Sequence, residues 1–151
     1  MYSDDTALKQ LSRDECLRLM ASVPLGRIIY TRQALPAVEL VNFALDNGDI
    51  IIRTDHGGKL AAATLGAVVA FEADSVDAGG HAGWSVTAIG HSHEVTGPDE
   101  IGRLEQMGLT MWAPGERDHF IRISPEILHG RRLSGPGAEH RPQPLPERQC
   151  A

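Results

Sequence analysis

The chain has 151 residues, 42% of them apolar, which is one domain's length with enough apolar mass for a single core. Its formal net charge of −6 argues against a duplex nucleic-acid partner, which would need a basic face, and leaves a small molecule as the expected ligand. No apolar run approaches bilayer length, and residues 1–10 lack the apolar core of a signal peptide, so a cytoplasmic protein without membrane contact is expected.

Residues 1–11 read as a flexible segment, 12–133 as one folded domain and 134–151, with Pro136, Pro142, Pro144 and Pro146, as a disordered tail. Ser12-Arg-Asp-Glu15 is a capping-box pattern, so a helix is predicted over 13–22, with Leu17, Met20 and Ala21 on its apolar face. Pro24 and Gly26 end it. Strands are predicted at 26–31, 37–45, 49–53, 68–74, 84–96 and 119–131. Asp46-Asn47-Gly48 joins the second and third as a tight hairpin, because Asn and Gly tolerate positive φ. Further helices are predicted only at 59–65 and 98–107. Hairpins therefore outnumber crossovers, and a mainly antiparallel sheet curled into a small barrel fits better than a doubly wound parallel sheet. Gly90 marks a bend or bulge in the long fifth strand. Cys16 and Cys150 suggest neither a disulfide framework nor a zinc site.

The third strand runs through Ile50, Ile51 and Ile52 into Arg53-Thr54 and then Gly57-Gly58-Lys59-Leu60. Glycines let backbone N–H groups approach a ligand, the following helix adds a positive dipole end, and two cations and a hydroxyl converge there. A phosphate monoester suits such a corner; an ordinary turn with solvated cations is the plain alternative. The spacing matches neither a Walker A loop nor a dinucleotide fingerprint, which disfavours nucleoside triphosphates and NAD. His91 and His93 with Glu94 read as a solvated face more readily than as metal ligands. Asp118 and His119 lack the nucleophile elbow of a hydrolase triad, and Arg117 and Arg122 read as surface charges.

The leading helix, the Pro-Ala-Val-Glu-Leu-Val-Asn-Phe-Ala-Leu-Asp segment, the Arg-Thr-x-x-Gly-Gly-Lys-Leu corner and the Gly-Trp-Ser-Val-x-x-x-Gly strand resemble the pyridoxamine 5′-phosphate oxidase-like flavin-binding proteins over residues 11–133. The resemblance implies a six-stranded antiparallel split β-barrel of the FMN-binding type, forming a homodimer with FMN in each interface cleft. It places Arg53, Thr54, Gly58 and Lys59, with Leu60 after them, at the flavin phosphate. It puts Val41, Asn42 and Phe43 along the isoalloxazine, Trp84 and Ser85 near it, and Trp112 over the ring from a loop. Two departures stand out. The oxidases carry Arg-Lys where this chain has Gly58-Lys59, so a second basic charge would come from Arg53. Gly130-Arg131-Arg132-Leu133 only partly echoes their Arg-rich last strand, which disfavours vitamin B6 oxidation. The expected function is a flavin-dependent oxidoreductase acting on a small molecule, the cofactor supplying the chemistry. A non-catalytic flavin-binding or sensor module, and a reductase using the deazaflavin F420 in place of FMN, are the alternatives.

Overall fold

In a computed structural model that describes residues 9–54, 59–109 and 119–134, the capping box is in place. Ser12 Oγ accepts from the Glu15 N–H at 3.2 Å, and Glu15 Oε1 accepts from the Ser12 N–H at 3.3 Å. Helix α1, Arg13–Met20, follows and buries Cys16 and Met20. A strand of two residues precedes it: β1, Lys9–Gln10, pairs with the end of the last strand, inside the segment expected to be flexible.

Six longer strands follow: β2 (Leu25–Arg32), β3 (Leu35–Asp46), β4 (Asp49–Thr54), β5 (Val68–Val76), β6 (Ala82–Val95) and β7 (His119–Ser134). Helix α2 (Lys59–Thr64) links β4 to β5, and α3 (Pro98–Glu105) links β6 to β7. The strands pair antiparallel in the order β7-β4-β3-β2-β5-β6, and β6 pairs again with β7, so the sheet closes into a barrel and β1 adds only a short flap. The expected six-stranded split barrel is the observed fold. Asn47 and Gly48 both have positive φ in the β3–β4 turn. The β2–β3 turn instead uses Gln33 (φ 49°) and Ala34 (φ 63°), residues that disfavour that region. At Gly90 the β6–β7 register slips by one residue, the predicted bulge; a Cβ there would run into the Ser124 carbonyl oxygen.

Strand alternation sorts side chains into an inner and an outer set. Ile28, Phe43, Ile50, Ile52, Phe71 and Ile123 fill the barrel, together with Cys16 and Met20 of α1 and Leu60 and Ala61 of α2. Phe43 and Phe71 meet edge to face with ring centroids 4.8 Å apart. On the outside, Ile51, Val95 and Phe120 form a second cluster with Leu104 and Leu109, so α3 and the residues after it cover one side of the wall. The opposite side has no such cover among the described residues. There the ladder aligns Val38, Ile29, Ala70, Ile89 and Ile127 in one row across five strands, with Val38 62% and Ile127 54% exposed.

Candidate functional site

Both faces of β4 are buried, the inner one in the barrel and the outer one beneath α3, so it reads Ile-Ile-Ile before its two polar residues. Alternation then separates those two. Arg53 belongs to the outer face: its Nη1 donates to the Leu109 carbonyl at 3.3 Å, and its guanidinium carbon lies 5.3 Å from the Phe120 ring centroid. Thr54 belongs to the inner face. Its hydroxyl is buried and has no hydrogen-bond partner among the described residues. Directly across the ladder from Thr54 stands His119, whose Nδ1 lies 2.6 Å from Glu94 Oε1. This pair is half-buried, with side chains 27% and 31% exposed.

The chain then leaves β4 toward Gly57 and Gly58, which lie outside the described residues, as do Trp112, Arg117, Asp118 and Cys150. Lys59 opens α2; its side chain too lies outside them. Leu60 is a core residue.

The remaining candidates lie farther round the wall. Val41 and Phe43 point into the core, and Asn42 between them points outward, its Nδ2 donating to the Pro24 carbonyl at 3.4 Å. Phe43 also borders a cleft of about 470 Å³ between β3 and the end of α1. Trp84 is buried in the barrel core. Ser85 faces outward and joins Thr87, His129, Arg131 and Gln10 around a cleft of about 450 Å³, and it meets Trp84 and Arg131 again in a smaller one of about 280 Å³. Beside these clefts, Arg27 bridges Glu72 at 3.1 Å and Asp74 at 3.2 Å. Burial, helped by the neighbouring Asp74 carboxyl and opposed by Arg27, pushes the Glu72 carboxyl up to about 7. Strand β7 pairs with both β4 and β6, but Arg53 lies opposite Phe120 and Ser85 opposite Arg131, at distant points along that strand. The structure thus brings Thr54 and His119 together and leaves Ser85 and Arg131 as a separate group.

Two sequence readings change in the structure. Arg122, read as a surface charge, is only 9% exposed: it donates to Asp46 Oδ2 (2.8 Å), Asp49 Oδ2 (3.0 Å) and Glu100 Oε1 (2.6 Å), clasping α3 to the β3–β4 hairpin. Arg103 adds a bidentate pair to Asp46 at 2.9 Å, and hydrogen bonds from the two guanidinium groups hold the Asp46 carboxyl down at about 2. The sequence offers His119 only as a hydrolase residue, since no local pattern couples it to Glu94, 25 positions away. His91 lies against Glu126, and no cluster of three metal-ligating side chains occurs among the described residues. None of their helices is long and apolar enough to cross a membrane.

A family model described as pyridoxamine 5′-phosphate oxidase matches residues 12–132. The chain belongs to that family. An uncharacterized protein of Mycobacterium tuberculosis is 40% identical over 129 residues, 82% of this chain and 84% of that one. A Corynebacterium glutamicum protein assigned to the pyridoxamine 5′-phosphate oxidases superposes with a TM-score of 0.79 at 32% identity, over 89% of this chain and 98% of that one. An FAD-binding protein of Mycobacterium smegmatis superposes with a TM-score of 0.72 at 33% identity, over 85% and 99%. In this member of the pyridoxamine 5′-phosphate oxidase family, Gly58 precedes Lys59 and Arg53 is turned toward Leu109.

Proposed function

We propose that this protein binds a flavin, with the cofactor phosphate at the exit of β4, and that it is an oxidoreductase acting on a small molecule. The Thr54 hydroxyl carries the reading. A buried O–H with no partner costs free energy unless something accepts from it, and a phosphate oxygen at this corner would. The group fits the residues present: the hydroxyl donates, Lys59 adds charge at the start of α2, and Gly57 and Gly58 leave room for close backbone approach. The M. smegmatis FAD-binding relative supports the flavin. When bound, a flavin supplies hydride or electron transfer. The protein's own part is to hold and orient it: Asn42 offers an amide on the outer wall of β3, while Val41 and Phe43 turn inward to the core. FMN is the form the residue pattern suggests, FAD the form the relative binds, and F420 the remaining alternative.

We place the cofactor in a cleft between two copies of the chain. The support is the bare row from Val38 to Ile127, an apolar stripe across five strands that a second copy would cover. The test is the visible absorbance of protein mixed with FMN, FAD or F420 and freed of unbound cofactor by gel filtration, then assayed with NAD(P)H or dithionite and quinone, nitro or oxygen acceptors. Retained flavin bands with turnover support the reading. Retained bands without turnover assign a non-catalytic module, and no retained cofactor defeats both.

A further inference from the structure

We propose that His119, held by Glu94, is a phosphate-binding residue of the cofactor site, filling beside Thr54 the role that the sequence assigns to Arg53. The inference rests on the flavin reading above and names a further residue of that site. Thr54 and His119 are direct cross-strand partners, so their Cβ atoms stand about 5 Å apart on the same inner face of the wall. A ligand oxygen accepting from the Thr54 hydroxyl would therefore lie next to the imidazole. Arg53 is on the opposite face of β4, engaged with the Leu109 carbonyl and the Phe120 ring, and its guanidinium points away from that oxygen.

Glu94 determines how the imidazole presents itself. It reaches His119 from the neighbouring strand β6, two positions off the direct Glu94–Ile121 pair, and engages Nδ1 at 2.6 Å. A carboxylate only accepts, so Nδ1 carries the hydrogen and Nε2 is the nitrogen left for a ligand. A neutral ring would turn a lone pair toward a phosphate oxygen. A phosphate oxygen only accepts, so the ring binds it by donating from Nε2 as well, with the Glu94 carboxylate held at Nδ1 behind it. From β6 the facing ionisable group is Glu94, from β4 the neighbour is the uncharged Thr54 with Arg53 on the far face, and α2 begins at Lys59. The pair keeps more than a quarter of each side chain exposed, so a ligand has access to it.

Fluorescence titration with FMN and with riboflavin, which has the same ring system and no phosphate, isolates this role. His119→Ala is expected to weaken FMN by about ten- to hundredfold, the range for a hydrogen bond to a charged group, and to leave riboflavin within about twofold. His119→Gln keeps a donor without the charge, should fall between, and remains informative if the alanine variant does not fold. Glu94→Gln is expected to weaken FMN and spare riboflavin. Inorganic phosphate should compete with FMN. Equal loss of FMN and riboflavin, or no loss of FMN, in the His119 variants would overturn the assignment. A wild-type protein that binds no flavin of any kind refutes the flavin reading first, and is told apart by the untouched variants behaving the same way.

Discussion

Thr54→Val should raise the stability of the cofactor-free protein and lower its affinity for the cofactor. The change is close to isosteric and removes a buried hydroxyl that has no partner among the described residues. An unsatisfied buried polar group costs about 1–3 kcal/mol, and because Thr54 as a whole is only half-buried we take the lower end, a gain of about 1 kcal/mol. With a urea m-value of about 2 kcal/mol per molar, the midpoint should rise by about 0.5 M. The same substitution deletes a hydrogen bond to a phosphate, about 1.5–3 kcal/mol, so Kd for FMN should rise by roughly ten- to hundredfold. Linkage then inverts the order of stabilities when ligand is present. At a concentration of about 100 Kd the wild type gains about 2.7 kcal/mol from FMN, whereas a hundredfold weaker variant gains about 0.4. Including its intrinsic gain of about 1 kcal/mol, the variant falls below the wild type by about 1.3 kcal/mol in FMN while exceeding it without FMN. Paired urea melts with and without FMN, and a fluorescence titration, measure each quantity. Thr54→Ser, which keeps the hydroxyl, should hold its FMN affinity within a few-fold. A valine variant that is less stable without ligand and binds FMN like the wild type would remove Thr54 from the site.

Asp46→Asn tests the clasp on α3. A carboxyl lowered from 3.8 to about 2 is a contribution of roughly 2 kcal/mol that is present above the unfolded value and lost as pH falls through the folded one. The variant should be less stable than the wild type by about that amount near neutral pH, with the gap closing between about pH 4 and pH 2 in paired denaturation curves; a gap that stays constant would assign the loss to packing. Val38→Glu introduces a charge at the β3 end of the bare stripe and should turn the proposed dimer into monomers by sedimentation velocity without lowering the melting temperature of the monomer. A variant that sediments like the wild-type dimer would move the interface elsewhere. Ala34→Gly relieves a residue at φ 63° and should stabilise the fold by about 1 kcal/mol; a loss of stability would mean the methyl group makes contacts that outweigh the strain.

The barrel could be read from the sequence because its strands carry two separate signals, alternation within and turn residues between. Asn47-Gly48 needed positive φ and Gly90 a site with no room for a Cβ, and each announced its place. β1 announced nothing, since two residues have no period and their pairing with Arg131 and Arg132 is set by chain contacts over 120 positions away. The site was readable as a corner but not as a pair of faces. Ile50, Ile51 and Ile52 form an unbroken apolar run because α3 buries the outer face of β4 as the core buries the inner one, so the sequence could not tell that Arg53 and Thr54 point opposite ways. The same tertiary cover made Arg122 look solvated. Its partners Asp46, Asp49 and Glu100 are brought to it by the hairpin and by α3, and only the assembled fold makes one guanidinium the centre of three carboxylates.

The two sides of the barrel wall are finished differently, and that difference bears on where function lies. Beneath α3 the wall is apolar, and the charges around it are matched: Arg122 and Arg103 answer Asp46, Asp49 and Glu100. Across β3, β2, β5 and β6 the wall keeps an uncovered apolar row, and next to it two carboxylates share the one guanidinium of Arg27. A single chain gains nothing from leaving Val38, Leu40 and Ile127 in water. It also gains nothing from an arrangement in which Glu72 is desolvated enough to hold its proton up to about 7. The row becomes favourable once another surface buries it, and the raised Glu72 carboxyl lies beside it. Ser85 and Arg131 open onto clefts on this same side, whereas Thr54 and His119 sit at the exit of β4, so a cofactor held between two copies could meet the second group on one chain and the first on the other.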